Sequence, residues 1–189
     1  MTQTNFPKSV STSKGEYKLR VPKAGDARGV LAFAKALPPH DLLYLRRDIS
    51  QSPVVDAWLV ATQEGESLSL LAEHDGELVG MSALMLDRKS WSPHVGEIRV
   101  LIAETARGKG LGRVMVQETF ALAVSNGIEK IIAQMTLDQD GARAVFEELG
   151  FQQEALLKDH VRDRNGEDHD IIIMSCNVAT ATSLMGVHR

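Results

Sequence analysis

Hydrophobic positions along the chain change period several times, and each change marks an element. Tyr17 to Val21 alternates as a short strand does, and Ala24 to Leu37 reads as a helix closed by Pro38 and Pro39. Ser52-Pro53 resembles a helix start, with Ser52 as N-cap and Pro53 in the first turn, leading through Val54, Val55, Trp58 and Leu59. Ser67 to Ala72 and Leu78 to Leu86 are apolar runs separated by Asp75-Gly76, a strong hairpin signal, and Val95 to Ile102 completes an antiparallel meander.

The second half reads differently. From Leu111 to Val124 the polar residues Arg113, Gln117, Glu118 and Ser125 occupy one side, so most of this helix faces protein and requires a sheet to pack on. Lys130 to Leu137 is a strand. Ala142, Val145, Phe146 and Leu149 fall at i, i+3, i+4 and i+7 on an amphipathic helix stopped by Gly150. Gln152 to Val161 and Asp168 to Met174 form two strands whose connection, Asp163-Arg164-Asn165-Gly166, carries an Asn-Gly pair suited to a tight hairpin turn. The pattern predicts a mixed α/β sheet, mostly antiparallel and flanked by helices.

Composition narrows this picture. The chain has 189 residues, 43% hydrophobic and 24% charged, enough for one self-sufficient core spanning residues 16–176. Residues 1–15 and 177–189 are poor in apolar side chains and are expected to be tails. Cys176 is the only cysteine and the six histidines are scattered, which argues against a structural zinc site, leaves no metal expected, and makes a reducing, cytoplasmic compartment the default. No apolar run approaches a membrane span, and the amino terminus lacks an apolar signal region. A net charge of -4 excludes a broad nucleic-acid surface, so any polyanion site must be local.

Such a site exists between Ile102 and Arg113. Gly108, Gly110 and Gly112 cluster where the buried helix begins, and Arg107, Lys109 and Arg113 add three cations within seven residues. A glycine turn at a helix N-terminus offers backbone N–H groups and about half a positive charge to a phosphate. The spacing is neither that of a P-loop nor the GxGxxG of a dinucleotide fold.

What the segment does match is Arg-x-x-Gly-x-Gly, met as Arg107, Gly110 and Gly112, the acyl-CoA pyrophosphate motif of the GNAT superfamily of N-acyltransferases. Leu149-Gly150-Phe151 resembles that family's helix-strand junction, and His169 to Met174 its final strand. The resemblance covers roughly residues 68–174. It implies the GNAT-like fold and acetyl-CoA, or another acyl-CoA, bound in a V-shaped opening between the strand carrying Val100, Leu101 and Ile102 and the strand beginning near Lys130. Pantetheine would pair with the backbone at Val100 and Ile102, and the pyrophosphate would take the N–H groups from Gly108 through Arg113, Leu111 among them. A backbone N–H near Ile102 would polarise the thioester carbonyl.

The implied reaction is acetyl transfer to a primary amine by direct attack through a tetrahedral intermediate. An aliphatic amine has a pKa near 10.4, so a base is required. Glu97, ten residues before Arg107 and on one strand face with Arg99 and Leu101, is the candidate, with a plain ion pair to Arg99 as the competing role. Glu104 stands where many relatives have proline and is expected in solvent. Two positions depart from the family: Phe146 replaces the tyrosine that protonates the departing thiolate, and Gln139 replaces an asparagine that contacts pantetheine. Phe146 also admits a second reading, a noncatalytic acyl-CoA-binding or regulatory module. His94, His160 with Asp159, and His169 are expected to face solvent, while Tyr44 lies in the segment expected to line the acceptor side. Asp41, Asp48, Asp159 and Asp163 are the carboxylates available to attract a cationic amine. The acceptor is a small-molecule amine or a protein amine, and the resemblance also allows a homodimer.

Overall fold

The computed structural model describes residues 6–13 and 15–185. One eight-stranded sheet runs through them, with strands β1 (Lys8–Thr12), β2 (Gly15–Arg20), β3 (Ser67–His74), β4 (Glu77–Leu86), β5 (Val95–Ile102), β6 (Lys130–Thr136), β7 (Gln152–Arg162) and β8 (Asp168–Asn177). The spatial order is β1-β2-β3-β4-β5-β6-β8-β7, and every neighbouring pair is antiparallel except β5 with β6. The α/β architecture expected from the alternating pattern is the one found. A parallel pair needs a crossover, and helix α3 (Leu111–Ser125) provides it.

Helices cover both faces. α3 buries Leu111, Met115, Val116, Thr119, Phe120, Leu122 and Ala123, and Thr119 meets Ser82 of β4 in a buried hydroxyl pair at 2.7 Å. α4 (Asp140–Glu148) adds Phe146 to the same core, where Leu84, Ile98, Ile131 and Met174 also pack. On the opposite face α1 (Ala27–Ala36) and α2 (Ser52–Gln63) enclose Leu71, Met81 and Leu101. Between those two helices, a 3-10 turn at Pro39–Leu42 and an irregular stretch reach Leu45 to Gln51.

Several expectations are corrected at the level of single elements. Lys8–Thr12, read as tail, is an edge strand paired with β2, because an edge needs only backbone partners and a little burial, here at Val10 and Thr12. Val178–Met185 forms α5, capped by Asn177, whose Oδ1 accepts from the N–H groups of Ala179 and Thr180. α2 begins at Ser52 itself with Gln51 as its N-cap, so Ser52 is the first helical residue and makes no cap bond. The β3–β4 turn is the tight hairpin expected, with positive φ at both Asp75 and Gly76. The β7–β8 turn is wider: only Gly166 has positive φ, and Asp163 holds the loop by accepting from the N–H groups of Asn165 and Glu167.

Candidate active site

The parallel pairing of β5 with β6 is brief. It joins Val95 to Lys130, Gly96 to Ile131 and Glu97 to Ile132, then stops, although β5 continues to Ile102 and β6 to Thr136. On its other side β5 stays paired with β4 as far as Ile102 and Gly80. The two parallel strands therefore open into a V whose apex is Glu97. Ala103 donates to Val79 on the β4 side, so by the alternation of a strand Leu101 also turns its peptide groups to β4, while Val100 and Ile102 turn theirs into the opening. Leu101, expected among the cofactor contacts, instead buries its side chain under α1 and α2.

At the wide end of the V the chain turns through 103–110 into α3. Gly108 and Gly110 have φ of 66° and 83°, a conformation that a residue with Cβ adopts only under strain, and this turn allows the strand to run directly into the helix. Gly110 is the N-cap and has no side chain to close it, so the amides of Leu111, Gly112 and Arg113 lack intrahelical partners. A Cβ on Gly112 would sit 3.7 Å from Ile102, so the protein tolerates it and only a ligand approaching the helix end would not. Of the three cations, Arg107 donates to the Ile102 carbonyl at 3.1 Å and pairs with Asp41, and Arg113 pairs with Glu148 at 2.9 Å. Lys109 has no ion pair among the described residues. Solvent reaches both pairs, so each is individually weak.

Glu97 is 7% exposed in its side chain, and its Oε1 accepts from Arg99 Nε at 2.8 Å while Oε2 lies 3.7 Å from Arg46. Both Glu97 and Arg99 line a cavity of about 1450 Å³ that runs along the α1/α2 face of β4 and β5, bounded by Arg46, Arg47 and Trp58. The strand thus presents its amides toward the V and its charged side chains toward this cavity, which makes Glu97 the point where the two meet. The arrangement can bind an extended chain with a polyanionic end on one side and receive a second substrate on the other.

Residues 37–151, more than half of the chain, match the acetyltransferase (GNAT) family. The chain belongs to that family. It is an acetyl-CoA-dependent acyltransferase. It is 23% identical over 168 residues to the L-2,4-diaminobutyric acid acetyltransferase of Chromohalobacter salexigens, covering 85% of this chain and 80% of that one. Among solved structures, a GNAT-family acetyltransferase from Streptococcus pneumoniae superposes with a TM-score of 0.74 at 18% identity, over 85% of this chain and 99% of that one. Mycobacterium smegmatis RimJ in complex with CoA-disulfide superposes at 0.68 with 20% identity, covering 96% of each chain.

The remaining residues of this GNAT enzyme distribute as follows. Phe146 is buried, edge-on to Phe151 with ring centroids 4.9 Å apart, and belongs to the α3-side core. Gln139 caps α4 at the end of β6, on the far wall of the V, with its carbonyl accepting from Arg143. Tyr44, 8% exposed, donates its hydroxyl proton to the Val100 carbonyl inside the V, and burial pushes its phenol well above the usual tyrosine range.

His169 is not solvent-facing as expected: its Nε2 is buried 3.4 Å from an Asp163 carboxylate oxygen, outside hydrogen-bond geometry, and its ring lies edge-on to His40 at 5.2 Å. His40 in turn pairs with Asp138 at 2.8 Å. Burial pulls the Asp138 carboxyl up, but hydrogen bonds from Thr136 and His40 outweigh it and the net shift is downward. His94 and His160 are exposed, and so is Glu104, as expected.

Three of the four carboxylates read as attractors for a cationic amine are already engaged. Asp41 holds Arg107, Asp48 holds Arg164 and Ser50, and Asp163 holds its own turn. The sequence reading passed over Arg99, Arg46 and Trp58 as site residues. Its available signal was the Glu97-x-Arg99 pair, two charges on one face of an otherwise apolar strand.

Proposed function

We propose that this acetyltransferase moves an acetyl group from acetyl-CoA to a primary amine of a small-molecule acceptor by direct attack, with Glu97 as base and Tyr44 as proton donor. The observation that carries the reading is the position of Glu97, a buried carboxylate at the apex of the V with one oxygen directed at the acceptor cavity. Acetyl-CoA supplies the acetyl group as an activated thioester. The amides of Val100 and Ile102 hold its extended arm, and the free amides of Leu111, Gly112 and Arg113, with Gly108, Lys109, Gly110 and Arg107, hold its phosphates. Gln139 and Phe146 bound the opening from the β6 side.

The amine enters from the cavity and sheds a proton to Glu97 as its nitrogen bonds to the acetyl carbon. The carbon–sulfur bond breaks, and the departing thiolate needs a proton in return. Phe146 cannot give one. Tyr44 brings its hydroxyl to the Val100 carbonyl inside the V, and a phenol is protonated at neutral pH. Names of relatives such as the diaminobutyric acid acetyltransferase support a small acceptor, and a lone buried Cys176 fits a reducing, cytoplasmic compartment. The test is release of free CoA thiol from acetyl-CoA across a library of small amines. Release with at least one amine is expected; binding of acetyl-CoA without release across the library contradicts the reading.

A further inference from the structure

The acceptor cavity is built for an anion beside the amine. Resting on the acetyl-transfer reading above, we infer that the acceptor is an amine that also carries a carboxylate, of amino-acid type, with its ammonium group at Glu97 and its carboxylate on the guanidinium of Arg99. Arg99 is only 16% exposed, yet a single one of its nitrogens, Nε, is bonded to protein, and that bond goes to Glu97. The four N–H groups on its two Nη atoms have no hydrogen-bond partner among the described residues. These atoms also stay in reach of solvent, since neither is among the buried polar atoms without a partner. A half-buried guanidinium with its fork open toward a cavity fits a carboxylate bidentately.

The surroundings agree. Five cationic side chains of the cavity lining stand against four carboxylates, and two of the five, Arg46 and Arg99, lie beside Glu97. Arg46 is 72% exposed with its nearest anion, Glu97, at 3.7 Å, and Arg47 has no ion pair among the described residues. Trp58 stands in the same wall with its indole Nε1–H buried and unpartnered, a donor for which the protein supplies no acceptor. A dication such as a polyamine would bring its second ammonium group against Arg46 or Arg99 there. The Glu97 carboxylate and the Arg99 guanidinium touch through Oε1 and Nε at 2.8 Å, so an ammonium on Glu97 and a carboxylate on the Nη atoms of Arg99 would lie side by side, which suits an amine and a carboxylate joined by a short carbon chain.

Matched pairs decide the matter: lysine against cadaverine, ornithine against putrescine, and 2,4-diaminobutyrate against 1,3-diaminopropane, each diamine being the amino acid without its carboxyl group. At saturating acetyl-CoA, thiol release should give at least one acid a kcat/KM about tenfold or more above its diamine, since a site built to bond a polar group rejects an analogue lacking it. Arg99→Gln should bring that ratio to within about threefold, mainly through the KM of the acid, with acetyl-CoA affinity by calorimetry unchanged. Arg46→Ala, a substitution at an exposed side chain, should lower the ratio in the same direction and guards against misfolding of the Arg99 variant. Diamines equal to or better than the acids overturn the inference and leave acetyl transfer to amines standing. Acetyl-CoA binding without turnover of any acid also overturns it, and failure of a wider amine library as well overturns the acetyl-transfer reading separately.

Discussion

The hydroxyl of Tyr44 donates to the carbonyl of Val100 at the point where β5 has lost β6 as a neighbour. A buried phenol on an unpaired strand edge couples the segment after α1 to the opening proposed for the thioester. Replacing Tyr44 with Phe keeps the ring and removes the proton. The expected outcome is a fall in kcat for thiol release of about 100-fold or more with acetyl-CoA affinity unchanged, a size usual for loss of one acid–base group. If Tyr44 served packing alone, the variant would lose thermal stability while its kcat held.

Asp41 competes with phosphate for Arg107. The pair is exposed and worth at most about 1 kcal/mol. Asp41→Asn should therefore tighten acetyl-CoA binding by about two- to fivefold in calorimetry, whereas Arg107→Glu should weaken it by about tenfold or more. Weaker binding in Asp41→Asn would show that Asp41 positions Arg107 and does not restrain it.

Arg20 of β2 is held at both ends of its guanidinium, by Asp26 through two bonds of 2.7 and 2.8 Å and by Glu73 of β3 at 2.7 Å. The hydrogen bond from Arg20 is the main cause that holds the Asp26 carboxyl below the usual range, against the opposing effect of burial. A carboxyl depressed in the folded state contributes stability above its unfolded pKa, near 3.9, and loses it as pH falls through the lower folded value. Solvent still reaches this pair, so Asp26→Asn should cost about 1 kcal/mol at pH 7. Below about pH 4 that difference should shrink, as urea unfolding at a series of pH values would reveal.

Burial pushes the Cys176 thiol up to about 12, and the side chain is almost fully covered. Native protein should show no reaction with a thiol reagent at pH 8, and one equivalent after unfolding. This makes assays of CoA thiol release free of background. Rapid labelling of native protein would contradict the burial of Cys176 against β6.

Much of the site was readable because its residues obey local rules. Gly108 and Gly110 must occupy positive φ, and a buried helix must follow them, so the phosphate turn could be read from glycine spacing and apolar periodicity together. β5 matched its expected limits because Pro93 and the turn bound an apolar run broken only by Glu97 and Arg99. What stayed hidden depends on tertiary contacts. β1 carries few apolar side chains and is held by backbone pairing with β2, which no periodicity reports. The cationic cavity draws Arg46 and Arg47 from an irregular stretch and Arg99 from a strand some fifty residues later, so an acidic chain gave no hint of it. The net charge of -4 pointed to carboxylates waiting for an amine, and two of the four, Asp41 and Asp48, are spent on arginines of the same chain.

The most direct test of the account is kcat for thiol release in Glu97→Gln, measured with the best amino-acid acceptor beside acetyl-CoA affinity by calorimetry. The substitution keeps size and hydrogen-bonding capacity, so Arg99 retains an acceptor. A fall in kcat of about 100-fold or more near neutral pH, shrinking as pH rises toward the amine pKa and with cofactor affinity unchanged, is the predicted result. An unaltered kcat and pH profile would contradict Glu97 as the base and, with it, the site built around the apex of the V.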